Sequence, residues 1–176
     1  MNSHNLKLFF GMFATILLLP ATGQAYFTTN QTATKLSENT VMYTIDYRFG
    51  LENRGLIMPI GAIRENGEET KYLKYDLTDK NGDSVTIGKT AGFVFTSDKD
   101  VEIIDNQYYL PPNKVAVFTL VTLLTIADEE MTKNMNLSLS VRSLPFTMII
   151  NDVEHPNRLN PSELKYYKTP EVKFEK

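Results

Sequence analysis

The sequence predicts an all-β protein: an antiparallel sandwich of about eight or nine strands, closed by a short C-terminal tail with one helical turn. Three observations carry that reading. "VMYTIDYRF" alternates apolar and mostly polar residues with period two, which places Val41, Tyr43, Ile45, Tyr47 and Phe49 on one face of a half-buried strand. Turn signals, Asn-Gly pairs among them, separate many short apolar runs. No long amphipathic helix and no internal repeat interrupts them.

The elements follow in order. "FTTNQTATKL" is Thr-rich and reads as a first strand, ahead of "VMYTIDYRF". In "LIMPIGAI" (Leu56–Ile63), Pro59 has no N–H for a ladder, so this strand is expected at an edge or bulged. "ENGEE" turns the chain at Asn66-Gly67, and "KYLKYDL" is the next strand, with Leu73, Tyr75 and Leu77 on one side. Asn81-Gly82 in "DKNGDS" makes another turn, because both residues tolerate positive φ. "SVTI" and "GFVF" are expected as short strands around Gly88, and "VEII" as one more. "LPPNK" is a turn whose two prolines stop any ladder.

"VAVFTLVTLLTIA" (Val115–Ala127) is apolar on both faces. Val115, Val117, Val121 and Leu123 lie on one, Phe118, Leu120, Leu124 and Ile126 on the other. Its β-branched content argues for a strand, and such a strand must be covered on both sides or expose an apolar patch to a partner. "DEEMTKN" links to "LSLSV", with Leu137, Leu139 and Val141 facing in, and "LPFTMII" is the last long strand. From Asn151 onward a polar, proline-punctuated tail is expected. Within it Asn160, Pro161 and Glu163 have the order of a helix N-terminus, and "EVKF" can add an edge strand.

The N-terminus reads as an export signal over residues 1–25. Lys7 precedes an apolar run from Leu8 to Leu19 that is shorter than the roughly 20 residues a membrane helix needs. Pro20 ends the run, and Gly23 and Ala25 take the −3 and −1 positions of a cut before Tyr26. A cut after Gly23 and an uncleaved anchor are the alternatives. "LPATG" (Leu19–Gly23) matches a sortase signal, but that signal needs a membrane stretch and a basic tail behind it. Here the whole folded chain follows, down to the polar "TPEVKFEK". The expected organisation is therefore a signal peptide at 1–25, a sandwich at 26–150 and a tail at 151–176 packing on it. No membrane span is expected after cleavage.

Composition removes several function classes. The chain has 176 residues, with 18 basic against 21 acidic, a net of −3; this gives no basic face for nucleic acid. Cysteine is absent, so disulfides, thiolate zinc sites, a Cys nucleophile and a lipid-attachment Cys are all excluded. A disulfide-free exported domain suits a bacterial envelope, and the sequons at Asn30 and Asn136 would matter only in a eukaryotic secretome. Of the two histidines, His4 lies in the signal, so a Ser–His–Asp triad would have to use His155 in "VEHPNRLNP", which reads as a solvated loop.

"YYLPPNKVAVFTLVTLLT" resembles a succession seen in bacterial immunoglobulin-like sandwiches: a tyrosine-bearing strand, a proline turn and a long alternating strand. "YDLTDKNGDSVTI" resembles their Asp/Asn-Gly hairpins. "YTIDYRFGL", "MPIGAI" and "RLNPSELKYYKTPEV" resemble uncharacterised exported proteins of candidate-phylum bacteria. The resemblance implies an immunoglobulin-like sandwich and carries no functional residues with it. The Cys…Trp…Cys set of true immunoglobulin domains is missing.

Three sets of residues remain as candidate chemistry. Asp79, Asn81 and Asp83 have the alternate spacing that opens a calcium loop, but Ser84 and Thr90 stand where that loop needs Gly and Glu, and a simple turn accounts for the stretch. Asp98 and Asp100, and Asp128, Glu129 and Glu130, are carboxylate clusters that could support hydrolysis only in a cleft that shifts a pKa. The doublets Tyr108-Tyr109 and Tyr166-Tyr167 could stack on sugars, although packing is the commoner use and Trp is absent. The leading expectation is a non-enzymatic exported module, without cofactor or catalytic set, that binds another envelope protein or serves as a surface subunit. Its partner-binding candidates are Pro59, Phe118, Leu120 and Leu124. A small carboxylate hydrolase and a calcium-stabilised adhesin are the alternatives.

Overall fold

The computed structural model describes residues 24–64, 71–131 and 134–175. The expected signal peptide up to Gly23 and the Asn66-Gly67 turn lie outside them. Two sheets face each other. The larger has eight strands in the order β1 (Gln24–Lys35), β2 (Thr40–Leu51), β9 (Val115–Thr125), β6 (Lys89–Phe95), β4 (Gly61–Arg64), β5 (Leu73–Thr78), β10 (Met135–Ser143) and β13 (Val172–Phe174). The smaller has β12 (Val153–Arg158), β11 (Pro145–Ile150), β3 (Gly55–Pro59), β8 (Gln107–Leu110) and β7 (Glu102–Ile104).

Strand β2 buries the residues its alternation selects: Val41, Tyr43, Ile45, Tyr47 and Phe49 have no solvent exposure. Aromatic rings fill the core, and two of their contacts, Phe49–Phe146 and Phe118–Tyr108, cross between the layers. Phe49 meets Phe146 edge-on with ring centres 5.1 Å apart, and Phe118 lies 5.7 Å from Tyr108 and 5.9 Å from Tyr47. The large sheet curls until its outer strands approach. Gln31 donates to the Tyr166 carbonyl at 3.4 Å and Lys35 to the Lys173 carbonyl at 3.5 Å, which almost closes a barrel, although β1 and β13 remain the two edges of the sheet.

Several expectations change. Not every pair is antiparallel: β4 and β5 run parallel, with Ala62 opposite Leu73. The eight residues between them, 65–72, are more than a two-residue hairpin needs and fewer than the dozen or more that parallel crossovers commonly use. "SVTI" is no strand. Ser84 makes a single bridge to Thr78, and the segment is held by Val85 N–H on the Leu77 carbonyl and by the Arg64 guanidinium on the Val85 and Ile87 carbonyls. Pro59 is at neither an edge nor a bulge. Strand β3 is central, between β8 and β11, and Pro59 lies opposite Gln107, past the last β11 pair at Ile57–Thr147. It stands where the chain leaves the small sheet and, after Ile60, enters the large one, so its missing N–H breaks no ladder.

The tail also begins with a strand. Asn151 and Asp152, with φ of 51° and 61°, form a two-residue turn of the hairpin type and pair β12 with β11. Counting outward from that turn, the backbone of Glu154, Pro156 and Arg158 points away from β11. Pro156 thus removes a donor from a free edge, and the flanking charges guard it further. The helical turn starts as expected: Asn160 caps α1 (Pro161–Leu164), accepting from Glu163 N–H at 3.1 Å while Glu163 returns a bond to Asn160 N–H at 2.7 Å.

Candidate functional site

Strand β9 decides which surface is available. Phe118, Leu120 and Leu124 are fully buried between the sheets, so these three partner-binding candidates belong to the core. Pro59 is buried as well. The apolar residues of β9 that meet solvent are on its other face: Val115, Val117 and Leu123 are 39%, 43% and 40% exposed, while Leu36, Ile103, Ile104 and Val153 are exposed elsewhere. No tail or loop caps the three β9 residues among the described residues.

The register extends this face across neighbouring strands. Leu123 lies between Met42 and Ala91, Val121 between Thr44 and Phe93, and Thr119 between Asp46 and Phe95. Val117 lies beside Arg48, and Arg48 beside Phe27. Phe93 and Phe95 are both half exposed. Half of two phenylalanine rings and two-fifths of three aliphatic chains amount to on the order of 400 Å² of bare apolar surface, within the roughly 300–600 Å² of the largest patch on a typical single chain, which is often functional. Glycines shape its ends. A Cβ at Gly50 would fall 2.7 Å from a Val115 methyl, and one at Gly61 would fall 2.4 Å from the Tyr72 ring. Each glycine therefore seats a neighbour's side chain. Polar groups on the face are fixed: Asp46 accepts from Thr119 Oγ1 at 2.7 Å and from Asn30 Nδ2 at 3.3 Å.

Beyond Phe93 and Tyr72 the surface dips into an open cleft of about 710 Å³ where the chain crosses between sheets. Pro59, Pro145 and Pro156 lie along it, with Gln107, Asn157 and Arg158 as polar neighbours. Its acids are Asp105 and Glu154, neither of them in the carboxylate clusters that the sequence singles out.

Those clusters serve their own loops. Asp98 accepts from Asp100 N–H at 3.1 Å, and Asp100 pairs with Lys114 at 3.0 Å. Asp128 accepts from Asn39, and Glu130 from Ala127 N–H at 3.1 Å, at the start of the 3₁₀ turn Asp128–Glu130 that also contains Glu129. Asp79 accepts from Asn81 N–H at 2.8 Å and Asp83 N–H at 3.0 Å, and Gly82 takes φ of 87° to close the turn. Desolvation pushes the Asp79 carboxyl upward, but the donors of Asp83, Asn81 and Gly82 together outweigh it and hold the group below its ordinary value. Among the described residues no three His, Cys, Asp or Glu side chains converge on a possible metal position. No helix there is long and apolar enough to cross a membrane.

The remaining candidates separate. His155 is exposed on the edge strand β12, opposite Met148. Tyr108 and Tyr167 are core residues, whereas Tyr166 is half exposed, with the Lys165 ammonium 4.7 Å from its ring centre. One polar network went unnoticed in the sequence: Asp76, nearly buried, lies 3.6 Å from both Arg64 and Arg142. Phe93 and Phe95 were also missed. Their signal was the alternation within "GFVF", where Val94 alone turns inward. No protein-family model and no curated protein sequence matches this chain.

Proposed function

We propose that the protein is an exported, non-enzymatic sandwich module that binds another protein through the outer face of β9, β6 and β2. The single observation that supports this most is the bare apolar strip of Val115, Val117, Leu123, Phe93 and Phe95 on a sheet whose other face is already core. A side chain left apolar and uncovered gains about 25 cal/mol for each Å² it later buries. The immunoglobulin-like character belongs to this proposal. Its support is the succession of tyrosine strand, proline turn and long strand, which corresponds to β8, the turn at Pro111 and β9. Export is supported by the composition of residues 1–25.

Cross-linking in intact cells of the native organism tests the proposal. Val117→Asp and Phe95→Asp should leave the unfolding midpoint unchanged and abolish capture of the partner. Equal capture by both variants would contradict it. The N-terminal mass of the recovered protein reads export directly: a start at Tyr26 or Gln24 is expected, and an intact Met1 in the cytoplasm would contradict it. A start at Gln24 retains the pairs Gln24–Leu51 and Ala25–Gly50 of β1.

A further inference from the structure

We propose that the cleft beside Tyr72 and Phe93 binds an uncharged oligosaccharide. This goes beyond the protein-binding face and touches it only at Phe93. The register builds an aromatic platform at the rim of the cleft. Phe93 of β6 lies opposite Gly61 of β4, and Tyr72 stands one residue before Leu73, which pairs with Ala62. Gly61 has no side chain, so the Tyr72 ring rests over its backbone, where a Cβ would collide with it. No third side chain stands between the two rings along that row, and Tyr72 and Phe93 are 38% and 50% exposed. A sugar ring carries an apolar face of C–H groups, and an exposed aromatic face is a surface that covers it.

The rest of the cleft supplies hydrogen bonds of the kind that sugar hydroxyls need. Each hydroxyl both donates and accepts, and the carboxamides of Asn106, Gln107 and Asn157 along the cleft do both as well. Among the described residues the charges of Lys71 and Arg158 balance those of Asp105 and Glu154, so the cleft favours neither an anion nor a cation. Its volume of about 710 Å³ lies within the roughly 300–1,000 Å³ of small-ligand sites. The prolines argue against an extended peptide as occupant. Pro59 and Pro145 line the cleft and have no N–H. On the bordering edge strand β12, Pro156 interrupts the outward donors between Glu154 and Arg158. A peptide that added itself as a strand would lose its central bond there, whereas a sugar needs no ladder.

Binding of the purified protein to an array of neutral and acidic oligosaccharides is the test, followed by calorimetric titration of the bound glycan. At least one neutral glycan should bind. Tyr72→Ala should weaken it about tenfold, through the loss of one stacked ring. Tyr72→Phe should keep the affinity within about twofold, because the ring face makes the contact and the hydroxyl does not. Gln107→Ala should weaken it about fivefold, the worth of one hydrogen bond. Unfolding midpoints equal to that of the native chain show that each variant is folded. Val117→Asp, which removes capture of a protein partner, should leave glycan affinity unchanged, so failure of one site is distinguishable from failure of the other. The proposal is overturned if no neutral glycan binds, if acidic glycans are preferred, or if Tyr72→Ala binds as tightly as the native chain. A proline-rich peptide that binds in a Tyr72-dependent way while no glycan does also overturns it.

Discussion

Strand β9 offers two apolar faces of similar composition with opposite fates. Inward, Ala116, Phe118, Leu120 and Leu124 lie against Tyr47, Tyr108 and the rest of the core, with essentially no exposure. Outward, Val115, Val117 and Leu123 each keep about two-fifths of their surface in water. The difference lies in the partners the fold supplies. The small sheet covers one side of the large sheet, and nothing among the described residues covers the other at β9. Hydrophobicity thus reports that a face wants covering, and only the topology says whether the chain itself provides the cover.

The largest expected effect separates the faces by charge. Leu120→Asp places a carboxylate in a fully buried apolar position and should abolish folding, since an unpaired buried charge costs several kcal/mol of a total of about 5–15. Val117→Asp should change monomer stability by no more than about 0.5 kcal/mol, as exposed substitutions do. Urea denaturation reads both. Comparable losses for the two variants would erase the distinction between the faces.

A smaller effect sharpens the description of the core that the inward face meets. Tyr43 donates to the Leu137 carbonyl at 3.2 Å, whereas the buried Tyr47 hydroxyl has no hydrogen-bond partner among the described residues. Tyr43→Phe should cost about 1 kcal/mol, and Tyr47→Phe should be neutral or stabilising. Burial raises the pKa of both hydroxyls above the usual tyrosine value, and at Tyr47 the neighbouring Tyr167 and Tyr108 add to it. A raised folded value favours the protonated form. The stability these groups contribute is therefore complete below the unfolded value near 10 and is lost as pH rises towards the folded values. Absorbance titration at alkaline pH should show Tyr43 and Tyr47 ionising only as the protein unfolds. Ordinary titration of all tyrosines in the folded state would contradict their burial.

Sequence patterning revealed those elements whose two faces differ. Strand β2 was legible because Asp46 and Arg48 mark one side as wet. The Asn160 cap was legible because its chemistry is local. In β9 both faces satisfy the same pattern, so Phe118, Leu120 and Leu124 pointed to a surface while their positions are core. Pro59 suggested an edge because a proline lacks its donor wherever it stands; that the ladder with β11 already ends at Ile57 is a tertiary fact. Strand β12 was illegible for the opposite reason. All six of its residues are exposed, so "VEHPNR" has no apolar alternation, and only the Asn-Asp turn before it carries a local signal. The binding face depends on register across three strands, which no local window contains.

The absence of cysteine makes the central claim directly measurable. Single cysteines placed at Val117 and Leu123, and at Phe118 and Leu124, can be labelled with a maleimide in the folded protein. The outward pair should label within the time of a free thiol. The inward pair should label only at the rate of unfolding, even though in each case an outward position is a direct neighbour of an inward one. Fast labelling at Phe118 and Leu124 with protection at Val117 and Leu123 would invert the strand and contradict the account.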